Sequence, residues 1–194
     1  MALKWISTSA VAAGVALGAG IGTPSVASAH YVPAPCDFIT AGGDVIKDDG
    51  KMANYGAHGG CKNYEFWGHV NYVDHTNGFH MDSTRITGYL YDPAIPNARD
   101  ICGWARINDQ PQEVMFRVRL IDNGEPGRTD QFGIVIDNWY SSGERFYKVT
   151  TREVKNPGGG NVQLHKGNPS NTIDPAYASL QEWQMCGDMA TPDR

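Results

Sequence analysis

Between Ile39 and His165 the chain alternates apolar and polar residues in short runs, each closed by Gly, Pro, Asn or Asp. A period of two places successive side chains on opposite faces of a strand, so these runs predict β-structure. Two runs show it most clearly. In 64–74, Tyr64, Phe66, Val70 and Tyr72 fall on one face, with Glu65, Trp67, His69 and Asn71 on the other. In 113–121, Val114, Phe116, Val118 and Leu120 share one face, and Glu113, Met115, Arg117 and Arg119 share its opposite. One face buried and one wet is the mark of antiparallel sheet. The pattern predicts strands at 39–47, 51–57, 64–74, 80–91, 101–107, 113–121, 131–137, 145–154 and 161–165. Asp48-Asp49-Gly50 is a good hairpin turn between the first two, and Pro93 and Pro96 separate the fourth from the fifth.

No amphipathic helix interrupts these strands. The expected fold is therefore all-β, an antiparallel β-sandwich or flattened barrel of about nine short strands. A short C-terminal helix is expected beyond them, with Asp174 as N-cap, Pro175 at N1 and Ala176–Gln184 leading into Cys186. The domain plan is 1–29 signal peptide, 30–35 extended lead-in, 36–166 β-rich domain, and 167–194 tail with the short helix.

The first residues change the picture of where the chain works. Lys4, the apolar run Val11–Ile21 and Ala27-Ser28-Ala29 read as an export signal cut after Ala29, leaving His30 as the first mature residue. The apolar run is too short to span a bilayer, so a secreted, extracellular product is expected, with no membrane insertion. The net charge is −5, one unit more negative once Lys4 is removed. An acidic surface without a basic cluster argues against nucleic acid as a partner. Cys36, Cys61, Cys102 and Cys186 predict two disulfides in an exported chain. Three pairings are open, and the place of Cys36 and Cys186 near the two ends favours Cys36–Cys186 with Cys61–Cys102.

Five motifs follow one another in order: Cys36-Asp-Phe-Ile-Thr-Ala-Gly-Gly, Gly50-Lys-Met-Ala-Asn-Tyr-Gly, Gly68-His-Val-Asn-Tyr-Val-Asp-His75, Ile121-Asp-Asn-Gly-Glu-Pro-Gly-Arg-Thr-Asp-Gln-Phe132 and Gly159-Gly-Asn-Val-Gln-Leu-His-Lys166. Together, over 36–166, they resemble the post-choice-of-anchor (post-COAP) domain of secreted bacterial proteins. The resemblance implies an extracellular β-rich module, often near surface-attachment regions, and implies no catalytic residues. The tail 167–194, with Cys186, lies outside the family pattern.

Candidate chemistry is sparse. The turn from Asp122 to Asp130 gathers Asp122, Glu125 and Asp130 among Gly and Asn, a set of hard oxygens suited to calcium or to tying down the turn itself. His58, His69, His75 and His80 lie close in sequence, with Asp74 and Asp82 among them. On an extended strand His69 and His75 stand about 20 Å apart, so they share no ion there. A turn at Thr76-Asn77-Gly78 brings His80 back toward Asp74 or His75, where an Asp–His hydrogen bond is expected ahead of a metal. His30, as a free N-terminus, has the chemistry of a copper-binding histidine brace, the basis of a monooxygenase alternative, although the residues after it do not match such enzymes. Trp67 is the leading candidate for partner contact: it stands on the polar stripe Glu65-Trp67-His69-Asn71, where no core awaits it unless the tail and Trp183 fold over that face. A flat aromatic among hydrogen-bonding groups suits an extracellular glycan or an envelope or matrix protein. No Gly-x-Ser-x-Gly nucleophile motif occurs. The expected role is a non-enzymatic structural or binding module, with a calcium-stabilised glycan-binding module as its alternative.

Overall fold

Every expected strand forms, two of them longer than expected (52–62 and 95–107), and their hairpin connections chain them into one antiparallel sheet. The computed structural model describes residues 30–108, 110–137, 146–154 and 159–193. The strands are β1 His30–Tyr31, β2 Phe38–Ile46, β3 Met52–Lys62, β4 Glu65–Asp74, β5 Phe79–Asp92, β6 Ile95–Ile107, β7 Glu113–Ile121, β8 Gln131–Asp137, β9 Phe146–Glu153 and β10 Gly160–His165. Their order is β10-β2-β3-β4-β5-β6-β7-β8-β9, with the two-residue β1 laid against β5. The sheet curls on itself until a bridge between Val45 and Val154 joins β2 to the end of β9. The all-β antiparallel fold is thus the expected one in its flattened-barrel form, a single continuous curled sheet.

The concave side holds the core. Ile39, Val70, Tyr72, Phe79, Phe116, Val118, Leu120, Phe132, Ile134 and Ile136 are fully buried there. At the end of this core nearest β9, Tyr147 donates a hydrogen bond to Asp74 at 2.9 Å and shares another with Tyr72 at 2.7 Å. Lys47 pairs with the same carboxylate at 2.9 Å. Burial opposes ionisation of Asp74, but hydrogen bonds from Lys47, Thr76 and Tyr147 hold its carboxyl below the usual range. Burial pushes the Tyr147 hydroxyl far up, so it stays a neutral donor.

Four expectations are corrected. The first is the disulfide pattern: the bonds are Cys36–Cys61 and Cys102–Cys186, not Cys36–Cys186 and Cys61–Cys102. The pleat explains it. Cys61 belongs to the inner core while Cys102 belongs to a separate cluster with Leu90, Met185 and Cys186 on the convex side, so these two sulfurs face opposite ways. The β2–β3 register pairs Phe38 with Gly60, which brings Cys36 beside Cys61.

The second concerns the polar face of β7. Arg117 and Arg119 are buried, not wet, because the tail crosses over them. Arg117 donates to Asp100, to Glu182 and to the Met189 carbonyl. Arg119 donates to Asp100 at 2.8 and 3.0 Å and to Asp193 at 2.6 Å, and pairs with Asp92 at 3.2 Å. Third, β6 starts at Ile95 and not at 101. The β5–β6 register jumps from Asp92↔Ile95 to Tyr91↔Arg99, so Pro96 sits in a bulge with no β5 partner and needs no ladder donor. Fourth, the single tail helix is two short pieces, a 3₁₀ turn Pro175–Ser179 and α1 Glu182–Cys186. Asp174 caps the first by accepting from the Ala176 amide at 2.8 Å, but Leu180 is extended, and a Gln181–Gln184 capping box restarts the helix.

Candidate functional site

The convex side of the sheet is divided in two. Over β5, β6 and β7 it is covered by the tail, stapled there by Cys102–Cys186. Thr87 donates to the Met185 carbonyl at 2.6 Å, and Gly88 lies directly beneath Met185. Over β2, β3 and β4 no described helix packs on it, and at the β10 edge the 122–130 turn lies against the Asn161 side chain. Trp183 does not fold onto the Trp67 stripe; it stands 64% exposed on the far side of the tail.

Register sets what this open face carries. Strand pairing aligns His165 with Phe38, Phe38 with Gly60, and Gly60 with Trp67. One step along, Gln163, Thr40, His58 and His69 form a second row. The next row is Asn161, Gly42, Gly56 and Asn71, continuing to Asp82 on β5. Beyond it come Asp44, Asn54, Val73 and His80. All four predicted stripe residues therefore share one face, with Glu65 exposed at its end opposite Lys62.

The first row is an aromatic shelf. Phe38 stacks on the His165 ring at 4.5 Å and 10°, and Trp67 leans against Phe38 at 6.3 Å and His58 at 5.5 Å. Trp67 is half-buried. Its Nε1 lies over Gly60, 3.2 Å from where a Cβ would stand, and finds no acceptor among the described residues. Polar groups around the shelf are linked in pairs and chains. Thr40 Oγ1 and His165 Nε2 are 2.9 Å apart. His69 Nε2 and Asn71 Nδ2 both reach Asp82 Oδ1, at 3.0 and 3.1 Å, and the same Asn71 nitrogen contacts His80 Nε2 at 2.7 Å. On the other bank Asn54 donates to Asp44 and its Oδ1 meets the His75 ring. Burial, and then the neighbouring His69 at 6.1 Å between rings, push the His58 imidazole below its ordinary value, so it is neutral at pH 7. Such an array is a set of fixed donors and acceptors around stacked rings, with nothing in it poised as a nucleophile.

The Asp–His contact expected across the 76–78 turn forms elsewhere. Asp74 pairs with Phe79 in the ladder and turns inward to Lys47 and Tyr147, so His80 meets Asn71, and it is His69 that holds a carboxylate. Among the described residues no three His, Cys, Asp or Glu side chains converge as a metal site.

Asp122, Glu125 and Asp130 do come together beside the free edge of β10. There they act as acceptors. Asp130, fully buried, takes the Asn123 amide at 2.8 Å and the Val162 amide at 2.7 Å. Asp122 takes the Gly124 amide at 2.8 Å and the Leu164 amide at 2.7 Å, and Glu125 accepts from Asn161 at 3.3 Å. The two aspartates thereby satisfy the outward amides of β10, which an edge strand leaves unpaired. His30 pairs with Tyr91 through its backbone, while its side chain and residues 1–29, where the export signal falls, lie outside the described residues. So does Trp139; Trp104 carries the Arg85 guanidinium 4.8 Å above its ring.

No family model, curated protein or solved structure matches the chain. The site's meaning rests on its geometry. Sequence reasoning found the β4 stripe and missed Phe38, Thr40, Gln163 and His165, which join it from β2 and β10; Thr40 and His165 are themselves 125 residues apart. The period of two in β2 and β10 places each on a defined parity, but only the register brings them beside Trp67 and His58.

Proposed function

We propose that this chain is exported and acts outside the cell as a non-enzymatic β-rich module that binds a glycan of the envelope or matrix on the open face of β10-β2-β3-β4. The single observation that carries this reading is the uncovered aromatic shelf: Trp67, Phe38 and His165 lie among hydrogen-bonding side chains on the part of the convex surface the tail leaves bare. Rings that stack on a sugar, flanked by fixed polar partners, give the mixed apolar and directional contact a glycan needs. Export is supported by the two disulfides, which persist in oxidising compartments, and by the sequence pattern of residues 1–29. No described helix is long and apolar enough to cross a membrane.

The test is a glycan array probed with the mature protein and its Trp67→Ala variant. Binding that falls in the variant while the melting temperature holds supports the reading. Binding indifferent to Trp67, or turnover of polysaccharide, peptide or ester by the purified protein, overturns it.

A further inference from the structure

The open face has a gap in its side chains. Gly42 and Gly56 stand opposite each other on β2 and β3, between Asn161 on β10 and Asn71 on β4. Most strand glycines in this fold are fixed by crowding: a Cβ on Gly59 would meet Ile101 at 2.8 Å, and one on Gly60 would meet Phe38 at 2.8 Å. These two are not. A Cβ on Gly56 meets nothing within 4 Å, one on Gly42 meets only the Tyr55 carbonyl at 3.7 Å, and neither residue has positive φ. Glycine weakens a strand interior, and the β2–β3 register runs through Gly42 and Gly56 without a bulge, which leaves close approach of another molecule to the backbone as a use for them.

The gap is a trough running across the strands. One bank is Thr40, His58 and His69; the other is Asp44 and Asn54. Asn161, tied to Glu125, and Asn71, tied to Asp82 and His80, stand at its two ends, three strand spacings or roughly 14 Å apart. The aromatic shelf lies behind the first bank. Charge narrows the occupant. No Lys or Arg stands in the trough or in the two rows that border it, so an anionic polymer finds no counter-charge. The acceptors there, Asp44 and Asp82, with the His58 ring and the amides of Asn54 and Asn71, match hydroxyl groups.

Resting on the glycan-binding reading above, we propose that the ligand is an uncharged polysaccharide whose chain is seated over Gly42 and Gly56 and extends past His58, so that one ring reaches the Trp67–Phe38 shelf. The glycines act as specificity determinants by leaving room for it.

Calorimetric titration of the mature protein with neutral oligosaccharides (cello-, xylo-, manno- and chitohexaose) and with anionic polygalacturonate tests this. The variants are Gly56→Ala, Gly56→Val and Trp67→Ala, each with its melting temperature. The expected result is binding of at least one neutral probe and none of polygalacturonate. Gly56→Ala is expected to weaken it about tenfold and Gly56→Val to abolish it, at an unchanged or higher melting temperature. If Gly56→Val binds like wild type while Trp67→Ala does not, the face is right and the trough is wrong. Preference for polygalacturonate overturns the uncharged ligand alone. Binding of no probe overturns this proposal and the glycan reading together.

Discussion

Replacing Arg117 with alanine tests whether the tail truly packs on β6 and β7. The guanidinium is 0% exposed. Its Nε and Nη2 donate to Asp100, and its Nη1 to Glu182 and to the Met189 carbonyl at 3.0 Å. Removing it leaves Asp100 buried with only Arg119, the Met189 carbonyl without its donor, and a void where the side chain lay. Breaking one partner out of a buried ionic cluster costs about 3–5 kcal/mol, a large share of the roughly 5–15 kcal/mol that holds a domain folded. Arg85, whose side chain is 52% exposed beside Glu113, provides the contrast: Arg85→Ala is expected to cost about 1 kcal/mol. Urea denaturation of the disulfide-intact protein reads both. A double-mutant cycle of Arg117→Ala with Asp100→Ala should also show strong non-additivity, since the two share their hydrogen bonds. If Arg117→Ala costs no more than Arg85→Ala, the tail does not cover this face in solution, and the division of the convex surface falls with it.

Other outcomes follow from the same contacts. Cys102 and Cys186 close a loop of 84 residues and Cys36 and Cys61 one of 25, so loop-closure entropy predicts losses of about 4–5 and about 3–4 kcal/mol when each pair is replaced by serine; equal losses in urea melts would contradict the entropic account. Asp130→Ala strands the buried Val162 amide and frees the Asn123 amide, and should cost about 1–3 kcal/mol, whereas a chelator should leave the wild-type melting temperature unchanged; a chelator-induced drop would mean that Asp122, Glu125 and Asp130 hold an ion. His58 binds a proton more weakly folded than unfolded, so its contribution is complete above pH 6.5 and is lost as pH falls below that value; the melting temperature of His58→Gln should decline less than that of wild type between pH 6.5 and 5. Tyr64 occupies a left-handed conformation, φ 73°, at the β3–β4 turn, and Tyr64→Gly should be neutral or stabilising by up to about 1 kcal/mol in thermal melts.

Period-two alternation is local, and what depends on it alone was readable: the strands of 39–165, the inward set of β7, and the outward stripe of β4. What depends on a third element was not. The alternation of Arg117 and Arg119 with Val118 has the form of a wet face, and nothing within 113–121 reveals that Asp100, Glu182 and Asp193 will meet these cations from elsewhere in the chain. The cysteines misled for a related reason. Nearness to the two termini says little about a sheet in which Cys36 is a hairpin neighbour of Cys61, while the tail is carried around to Cys102. The acidic turn of 122–130 was legible as a cluster of carboxylates, but its use depended on the edge of β10, another strand's unpaired amides.

The two halves of the convex surface show why outward polar residues on a strand do not by themselves mark a site. On β7 they are arginines, whose long charged side chains are buried only because four carboxylates and a backbone carbonyl surround them. Desolvating them is tolerable only with the tail held in register, and the Cys102–Cys186 bond holds it there. On β2, β3 and β4 the outward residues are mostly rings, imidazoles and amides, with Asp44, Lys62 and Glu65 toward the strand ends, where none is enclosed; between them lie two glycines that neither packing nor a positive φ requires. A tail of equal length laid over this second face would find little charge to pair with and a gap it could not fill. The face is therefore chemically unsuited to the chain's own tail, and the ligand proposed for it is one of alternating hydroxyl and apolar surface. That asymmetry makes Gly56→Val the sharper probe of function and Arg117→Ala the sharper probe of fold.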